Sequence, residues 1–242
     1  GNVIIPSFAV GRTQELIYHF NRFYEEHSEY KDELKKIMVY VDSPMAISAT
    51  EVFRRNAQVF DDETREYILR GDHPLDFPNL VFTRTAEESV MLNTDPSPKV
   101  IISSSGMCEA GRIKHHLKHN LWNPKSSIVF VGYQARGTLG YSILNGDKKV
   151  TIFGEKIHVE AEIHNLEGFS GHADKNGLLD WLAGFKQPPK QIFLVHGEED
   201  AKQEFAKEVK SLLGYDCTIV EGDTEFTLTK QDVISIDEMK KE

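Results

Sequence analysis

The sequence predicts an α/β fold with a mostly parallel sheet that helices cover on both faces. Short apolar runs alternate with helical stretches along most of the chain, and the segments that connect them are short. Such alternation is typical of parallel sheets, because parallel neighbours need crossover connections. The 242 residues, 40% of them hydrophobic, can bury a large core without disulfides.

Strands are predicted where short apolar runs end in glycine or polar residues. These runs lie at residues 3–8, 37–42, 100–104, 127–132, 191–197, 217–222 and 224–228. Between residues 149 and 166 apolar and polar residues alternate, which predicts a β-hairpin with Gly154 in its turn. Because this hairpin interrupts the strand–helix rhythm, we expect a domain boundary just after it, near residue 166.

Helices are predicted where apolar residues recur every three to four positions. They lie at residues 13–27, 45–60, 61–70, 110–121, 138–144, 176–185 and 201–214. Ser43 suits the N-cap of the second helix and Pro44 its first position, while Gly214 suits the end of the last helix.

The composition limits the classes of function. Lys and Arg number 28 against 38 Asp and Glu, a net charge of −10, which counts against a protein that coats nucleic acid but not against a nuclease with a local binding groove. Cys108 and Cys217 are far apart and form no C-x-x-C motif, so free thiols in the cytoplasm are expected. No apolar run approaches the ~18 residues of a membrane span, and residues 1–10 do not resemble a signal peptide.

Polar turns follow three of the predicted strands, where open α/β sheets carry their sites. Residues 103–106 read Ser-Ser-Ser-Gly, a turn that could hold a phosphate with backbone N–H groups or could simply join a strand to a helix. Arg12 could contact a phosphate or pair with Glu15. Asp42 precedes Ser43, and there a helix cap is the favoured interpretation.

Histidines concentrate in the segment K-H-H-L-K-H. His115 and His119 have the i, i+4 spacing of a zinc-binding helix pair, but the metalloprotease motif needs Glu where His116 stands. With Arg112 nearby, the segment is better explained as a basic helix face directed at phosphates. A merely solvated face is the alternative.

Two further histidines lie in the C-terminal part of the chain. His172 occupies a glycine-rich turn before a predicted helix, and His196 ends an apolar strand. A histidine at a strand end beside glycine commonly faces a metal or a substrate. A satisfied structural histidine is the alternative for each.

Together these segments resemble the β-CASP branch of the metallo-β-lactamase-fold nucleases, in its RNA-processing rather than its DNA-repair form. The motifs PSFAVGRTQEL, VDSPMA, SSSGMCEAGRIKHHLKH, VGYQARGTLG, GFSGHAD and LVHGE follow one another in the family's order over roughly residues 3–198. The resemblance implies a Rossmann-like β-CASP domain over residues 1–166. It also implies that residues 167–242 are the C-terminal segment of a metallo-β-lactamase domain of the RNA-metabolising type.

The resemblance also implies a zinc-dependent ribonuclease that hydrolyses phosphodiester bonds in RNA processing or decay, with two zinc ions in the complete enzyme. His172 would then protonate the leaving oxygen, and His196 would be a zinc ligand. From chemistry and position we expect further RNA contacts from Arg12, Ser104, Ser105, Gly106, Arg112, His115, His119 and Ser170.

The family's main metal motif, H-x-H-x-D-H, is absent from this sequence. Because a catalytic zinc needs about three protein ligands, we expect a fragment that lacks an N-terminal metallo-β-lactamase half, is inactive alone and exposes an apolar face around residues 191–228. A non-catalytic β-CASP scaffold subunit is the second interpretation. An unrelated Rossmann-like enzyme is the third, weakened by the missing G-x-G-x-x-G motif. The oligomeric state is open, with a homodimer as one alternative.

Overall fold

A computed structural model describes residues 1–169, 171–228 and 233–235 of the chain. Two compact units are present, Gly1–Ser170 and Gly171–Glu242. The family boundary expected at residue 166 stays a prediction, since compactness alone does not test it.

The first unit alternates strands and helices along its length. Its strands are β1 Val3–Pro6, β2 Met38–Val41, β3 Leu80–Phe82, β4 Lys99–Ser103, β5 Ser127–Phe130, β6 Lys149–Ile152, β7 Glu155–His158 and β8 Glu162–Asn165. Its α-helices are α1 Arg12–Glu26, α2 Lys31–Leu34, α3 Pro44–Arg55, α4 Asp62–Leu69, α5 Ala86–Thr94, α6 Ile113–Asn120 and α7 Leu139–Leu144.

Six of these strands form one sheet in the order β3-β2-β4-β1-β5-β8, and every neighbouring pair is parallel. In the central strand β1, Ile4 lies opposite Ile101 of β4 and Ile128 of β5. The predicted α/β class with a mostly parallel sheet is confirmed.

Helices bury both faces of this sheet. Adjacent residues of one strand point to opposite faces, so Ile4 packs in one hydrophobic cluster and Ile5 in the other. The same division separates Ile101 from Ile102 in β4. Central strands that are apolar on both faces read as continuous runs, which explains why the sequence pattern identified them.

The predicted elements differ from the structure in several places. The predicted hairpin covers only β6 and β7, with Gly154 at its turn (φ +79°), whereas β8 joins the main sheet. The helix predicted from residue 110 begins at Ile113. In the first unit sequence reasoning missed α2, β3 and α5, although Thr85 and Glu88 form a reciprocal capping box that marks the start of α5.

Within its described residues, the second unit has two further helices and four short strands: α8 Lys175–Ala183, β9 Ile192–Leu194, α9 Glu199–Leu213, β10 Cys217–Ile219, β11 Phe226–Leu228 and β12 Val233–Ser235. Strands β9 and β10 pair in parallel, and β11 pairs with β12 in antiparallel fashion. Gly214 ends α9 in the left-handed conformation, as the sequence predicts. Across the described ranges, no helix combines the length and apolarity needed to cross a membrane.

Candidate functional site

The carboxyl edge of the six-stranded sheet brings together the turns that follow β1, β2, β4 and β5. Because these strands are parallel, their C-terminal ends meet at one edge, which is where open α/β sheets bind ligands. Two hydrogen bonds join the turns: the Ser7 N–H donates to the Ser103 carbonyl at 2.9 Å, and Ser103 Oγ donates to the Asp42 carbonyl at 2.7 Å.

Asp42 is the centre of a buried polar network at this edge, and its side chain is fully buried. Thr83 Oγ1 (2.5 Å) and Arg112 Nη1 (2.6 Å) donate to Oδ1. Ser89 Oγ (2.5 Å) donates to Oδ2, and His116 Nε2 lies 2.7 Å from the same oxygen. A carboxylate only accepts, so Nε2 carries the proton in this contact.

These contacts keep Asp42 ionised. Burial by itself would raise the pKa of the carboxyl, but the hydrogen bonds from His116, Ser89, Thr83 and Arg112 outweigh it and hold the pKa well below its ordinary value. A buried ion pair with satisfied partners costs several kcal/mol to break. The network therefore fastens α6, through Arg112 and His116, to the end of β2.

The helix cap predicted at the Asp42-Ser43-Pro44 turn is confirmed, and Ser43 supplies it. Ser43 caps α3, because its side chain accepts from the Ala46 N–H at 3.3 Å, and Pro44 occupies the first helical position as predicted. Asp42 is thus available for the network with Arg112. Since Arg112 Nη1 is bound to Asp42, its expected phosphate contact would rest on its remaining N–H groups, and that contact stays a prediction.

The Ser-Ser-Ser-Gly turn opens a loop that is folded on itself. The Ser105 N–H donates to the Ala110 carbonyl at 2.9 Å, and the Ala110 N–H donates to Ser105 Oγ at 3.2 Å. The expected helix N-terminus does not follow the turn directly, since α6 begins only at Ile113. Phosphate binding by Ser104, Ser105 and Gly106 stays a prediction, without the support of a helix dipole.

Gly106 is buried where the loop meets the turn after β5. A Cβ atom there would lie 3.0 Å from the Phe8 ring, so close packing accounts for the glycine. Gln134 Nε2 donates to the carbonyls of Gly106 and Gly132, both at 3.0 Å. Gln134 therefore ties together the loops that follow β4 and β5.

Arg12 pairs with Glu15, which is the alternative that the spacing offered. Arg12 Nη1 lies 2.5 Å from Glu15 Oε2, and the guanidinium lies 5.8 Å from the Phe169 ring centroid. The side chain is mostly buried, and its Nε has no hydrogen-bond partner among the described residues. Because this Nε is itself buried, it does not support the phosphate contact of Arg12, which stays a prediction.

His115 and His119 are exposed on α6, whereas His116 between them is buried in the Asp42 network. Partial desolvation, with Lys118 and the neighbouring histidines, lowers the pKa of His119 below its ordinary value. The neutral form of His119 is thus favoured, and that form brings no charge to a phosphate contact. The His115 ring packs against Phe153 at 4.6 Å.

In the second unit, His196 and His172 are both exposed. His196 lies two residues beyond the end of β9, in the left-handed conformation (φ +64°), and lines a groove of about 520 Å³ whose walls are mainly apolar. His172 precedes Asp174, which caps α8 by accepting from the Gly177 N–H at 2.8 Å. Ser170 lies outside the described residues, so its RNA contact stays a prediction.

Comparison with known proteins assigns both parts of the chain. The model for the Beta-Casp domain matches residues 13–143, more than half of the chain. The chain belongs to the β-CASP family. A second model, for the Zn-dependent metallo-hydrolase RNA specificity domain, matches residues 156–220.

Several β-CASP relatives are similar over most of this chain. Ribonuclease TTHA0252 of Thermus thermophilus is 41% identical over 204 residues, which is 83% of this chain and 44% of the relative. Transcription termination factor FttA of Methanocaldococcus jannaschii is 35% identical over 88% of this chain and 33% of the relative. An RNase J-like protein of the same organism is 32% identical over 85% of this chain and 45% of the relative. The chain thus spans less than half the length of these relatives.

Exposed side chains at the β-CASP sheet edge were missed by sequence reasoning. Phe8 follows β1 and is 45% exposed, and Tyr133 follows β5 and is 62% exposed. Aromatic side chains beside a polar loop are suited to stacking on nucleic-acid bases. The signal was available in the sequence, because each ring lies just beyond a strand that ends in a turn.

Proposed function

We propose that this chain is the RNA-contacting part of a zinc-dependent ribonuclease that cleaves phosphodiester bonds in RNA processing or decay. The observation that carries the proposal is the succession of two family matches along one chain, a Beta-Casp domain followed by an RNA specificity domain of metallo-hydrolases. Relatives named as ribonucleases and as transcription termination factors support RNA as the substrate.

The proposal gives the two exposed histidines of the second unit different roles. His172, in a turn held by the capped start of α8, would donate a proton to the leaving 3′ oxygen. His196, presented at the end of β9, would be one metal ligand. Arg12, Ser104, Ser105 and the exposed face of α6 would contact the flanking phosphates.

The residues at hand do not complete a zinc site. Among residues 1–169, 171–228 and 233–235, no group of three or more His, Cys, Asp or Glu side chains can hold a metal ion. A catalytic zinc requires about three protein ligands. We therefore expect the 242-residue chain to be inactive alone.

A ribonuclease assay tests this function. Labelled RNA is incubated with the 242-residue chain, with a full-length protein that contains it, and with that protein carrying His172→Gln, each with added zinc. We expect no cleavage by the chain and cleavage by the longer protein. Loss of a general acid should lower kcat by about 10²- to 10⁴-fold with little change in RNA affinity.

His73→Gln in the same protein is the matched control, because His73 is an exposed histidine of the first unit. Equal activity of the His172 variant and the parent would refute the assignment of His172. Efficient zinc-dependent cleavage by the isolated chain would refute its expected inactivity. A full-length protein that binds RNA without cleaving it would favour the non-catalytic scaffold.

A further inference from the structure

The turn of the β6–β7 hairpin contains an aromatic residue in an unfavourable backbone conformation. Phe153 and Gly154 form its turn, both with positive φ (+51° and +79°). Two-residue turns of this kind favour Asn, Asp or Gly, and a bulky residue at positive φ is uncommon. Such local strain at an exposed position suggests that the side chain itself has a use.

Helix α6 supports one side of the Phe153 ring. The His115 ring lies 4.6 Å from it with a tilt of 36°, and Lys114 Nζ lies 5.2 Å from the ring centroid. Phe153 nevertheless remains 49% exposed. The ring is therefore fixed in place by a neighbouring ring and a cation while much of its surface faces solvent.

The outward face of the hairpin is basic. Strand pairing places Lys149 opposite His158 and Thr151 opposite Lys156, and all four residues are exposed. Directly paired residues share a face of the hairpin, so the carboxylate of Glu155, which is paired with the buried Ile152, belongs to the other face. This concentration of cations stands out in a chain with a net charge of −10.

Beside this face lies a polar depression of mixed charge between the hairpin and helices α6 and α7. This depression has a volume of about 320 Å³, and Lys114 and Lys149 line it together with the carboxylates of Glu109 and Asp147. The Glu109 carboxylate accepts a hydrogen bond from the Leu139 N–H at the start of α7, at 2.5 Å. Lys114 thus belongs to both the aromatic cluster and the depression.

We propose that Phe153, His115, Lys114, Lys149 and Lys156 form a contact surface for single-stranded RNA, separate from the turns at the sheet edge. A base would stack on the open face of Phe153, and the adjoining phosphates would lie at the lysines. A docking surface for a protein would be depleted in lysine and would have a larger apolar centre. This inference rests on the proposed function, because it specifies how the chain holds RNA.

The test is the affinity of the 242-residue chain for a fluorescent oligouridine, measured by fluorescence anisotropy. Phe153→Leu removes the stacking ring, and we expect Kd to rise by about 5- to 100-fold. Phe153→Asn removes the ring but favours the turn, so it should weaken binding equally while the hairpin stays folded. Phe23→Leu is the matched control, since Phe23 is also exposed and packs at a tilt against a histidine, His27, with 4.3 Å between ring centroids.

A second measurement addresses the lysines. The double variant Lys149→Gln, Lys156→Gln should reduce the slope of log Kd against log salt by about 1.4, or ~0.7 for each lost phosphate contact. Lys35→Gln with Lys36→Gln, two exposed lysines of the same unit, should leave the slope unchanged. Unchanged affinity in both Phe153 variants would overturn this inference and leave the proposed function standing, whereas a wild-type chain that binds no RNA would overturn both.

Discussion

A single carboxylate, Asp42, accounts for much of the order at the carboxyl edge of the sheet. Its side chain is fully buried and accepts hydrogen bonds from Thr83 just after β3, from Ser89 of α5 at 2.5 Å and from Arg112 at the start of α6 at 2.6 Å. Asp42→Asn removes the charge that pairs with Arg112 and replaces one acceptor oxygen by an NH2 donor, so the donors on that side of the group lose their acceptor. We expect this variant to lower the free energy of unfolding of the first unit by about 3 kcal/mol or more.

Urea unfolding followed by tryptophan fluorescence measures this effect. The chain has two tryptophans, Trp122 in the first unit and Trp181 in the second. In a Trp181→Phe background the signal comes from Trp122 alone, so it reports the first unit. Glu87→Gln, at an exposed carboxylate of α5, is the control, and a similar small effect of both variants would contradict the central role of Asp42.

The same carboxyl predicts how stability depends on pH. Its folded-state pKa lies below the unfolded value of about 3.9, so the unfolded state takes up its proton first as pH falls. The stabilisation is fully present above that value and is lost as pH falls toward the folded-state pKa. We expect the difference in urea midpoint between wild type and Asp42→Asn to shrink below about pH 4. A difference in midpoint that stays constant down to the lowest pH would refute this prediction.

At the scale of an element, the loop between β4 and α6 depends on a close backbone approach at Gly111. Gly111 has φ +84°, and a Cβ atom there would lie 2.3 Å from the Ser104 carbonyl oxygen. Gly71 has φ +86° with open space around it. Gly71→Ala should cost about 1–2 kcal/mol through backbone strain alone, and Gly111→Ala should cost clearly more.

Thermal unfolding of the two variants separates conformational strain from steric contact, since the two glycines share the same φ. Equal losses would mean that the loop moves aside for the new Cβ atom. If RNA affinity also falls only in Gly111→Ala, the loop that holds Ser104 and Ser105 contributes to binding as proposed.

The strands and helices also differ in how far the sequence could predict them. Central strands such as β1 and β4 were predictable because residues like Ile4 and Ile5 are buried on opposite faces, which produces a continuous apolar run. The contact of Asp42 with His116 was not predictable, because it joins residues 74 positions apart and depends on the strand order. The order of the motifs indicated which loops form the candidate site. The hydrogen-bond partner of each polar side chain could be identified only once the order of the strands in the sheet was known.

For the whole molecule, the second unit differs from the first in how its apolar residues are covered. Leu182 and Val209 are its buried apolar residues among those described, whereas Trp181 is 65% exposed and Val195 57% exposed. Val195 and His196 line the same apolar groove. Exposed apolar side chains thus lie at and near residues 191–228, where an apolar face is expected, and such patches mark interaction sites or promote association.

We expect the isolated chain to self-associate through this face as its concentration rises. Trp181→Ser and Val195→Ser together should shift the molar mass in light scattering toward the monomer, because burial of apolar surface drives association. Val59→Ser with Leu69→Ser changes two side chains of the first unit that are 75% and 86% exposed, so it matches the loss of apolar surface. Equal shifts in the two double variants would mean that association follows general surface hydrophobicity, and a monomeric wild-type chain at all concentrations would refute the prediction.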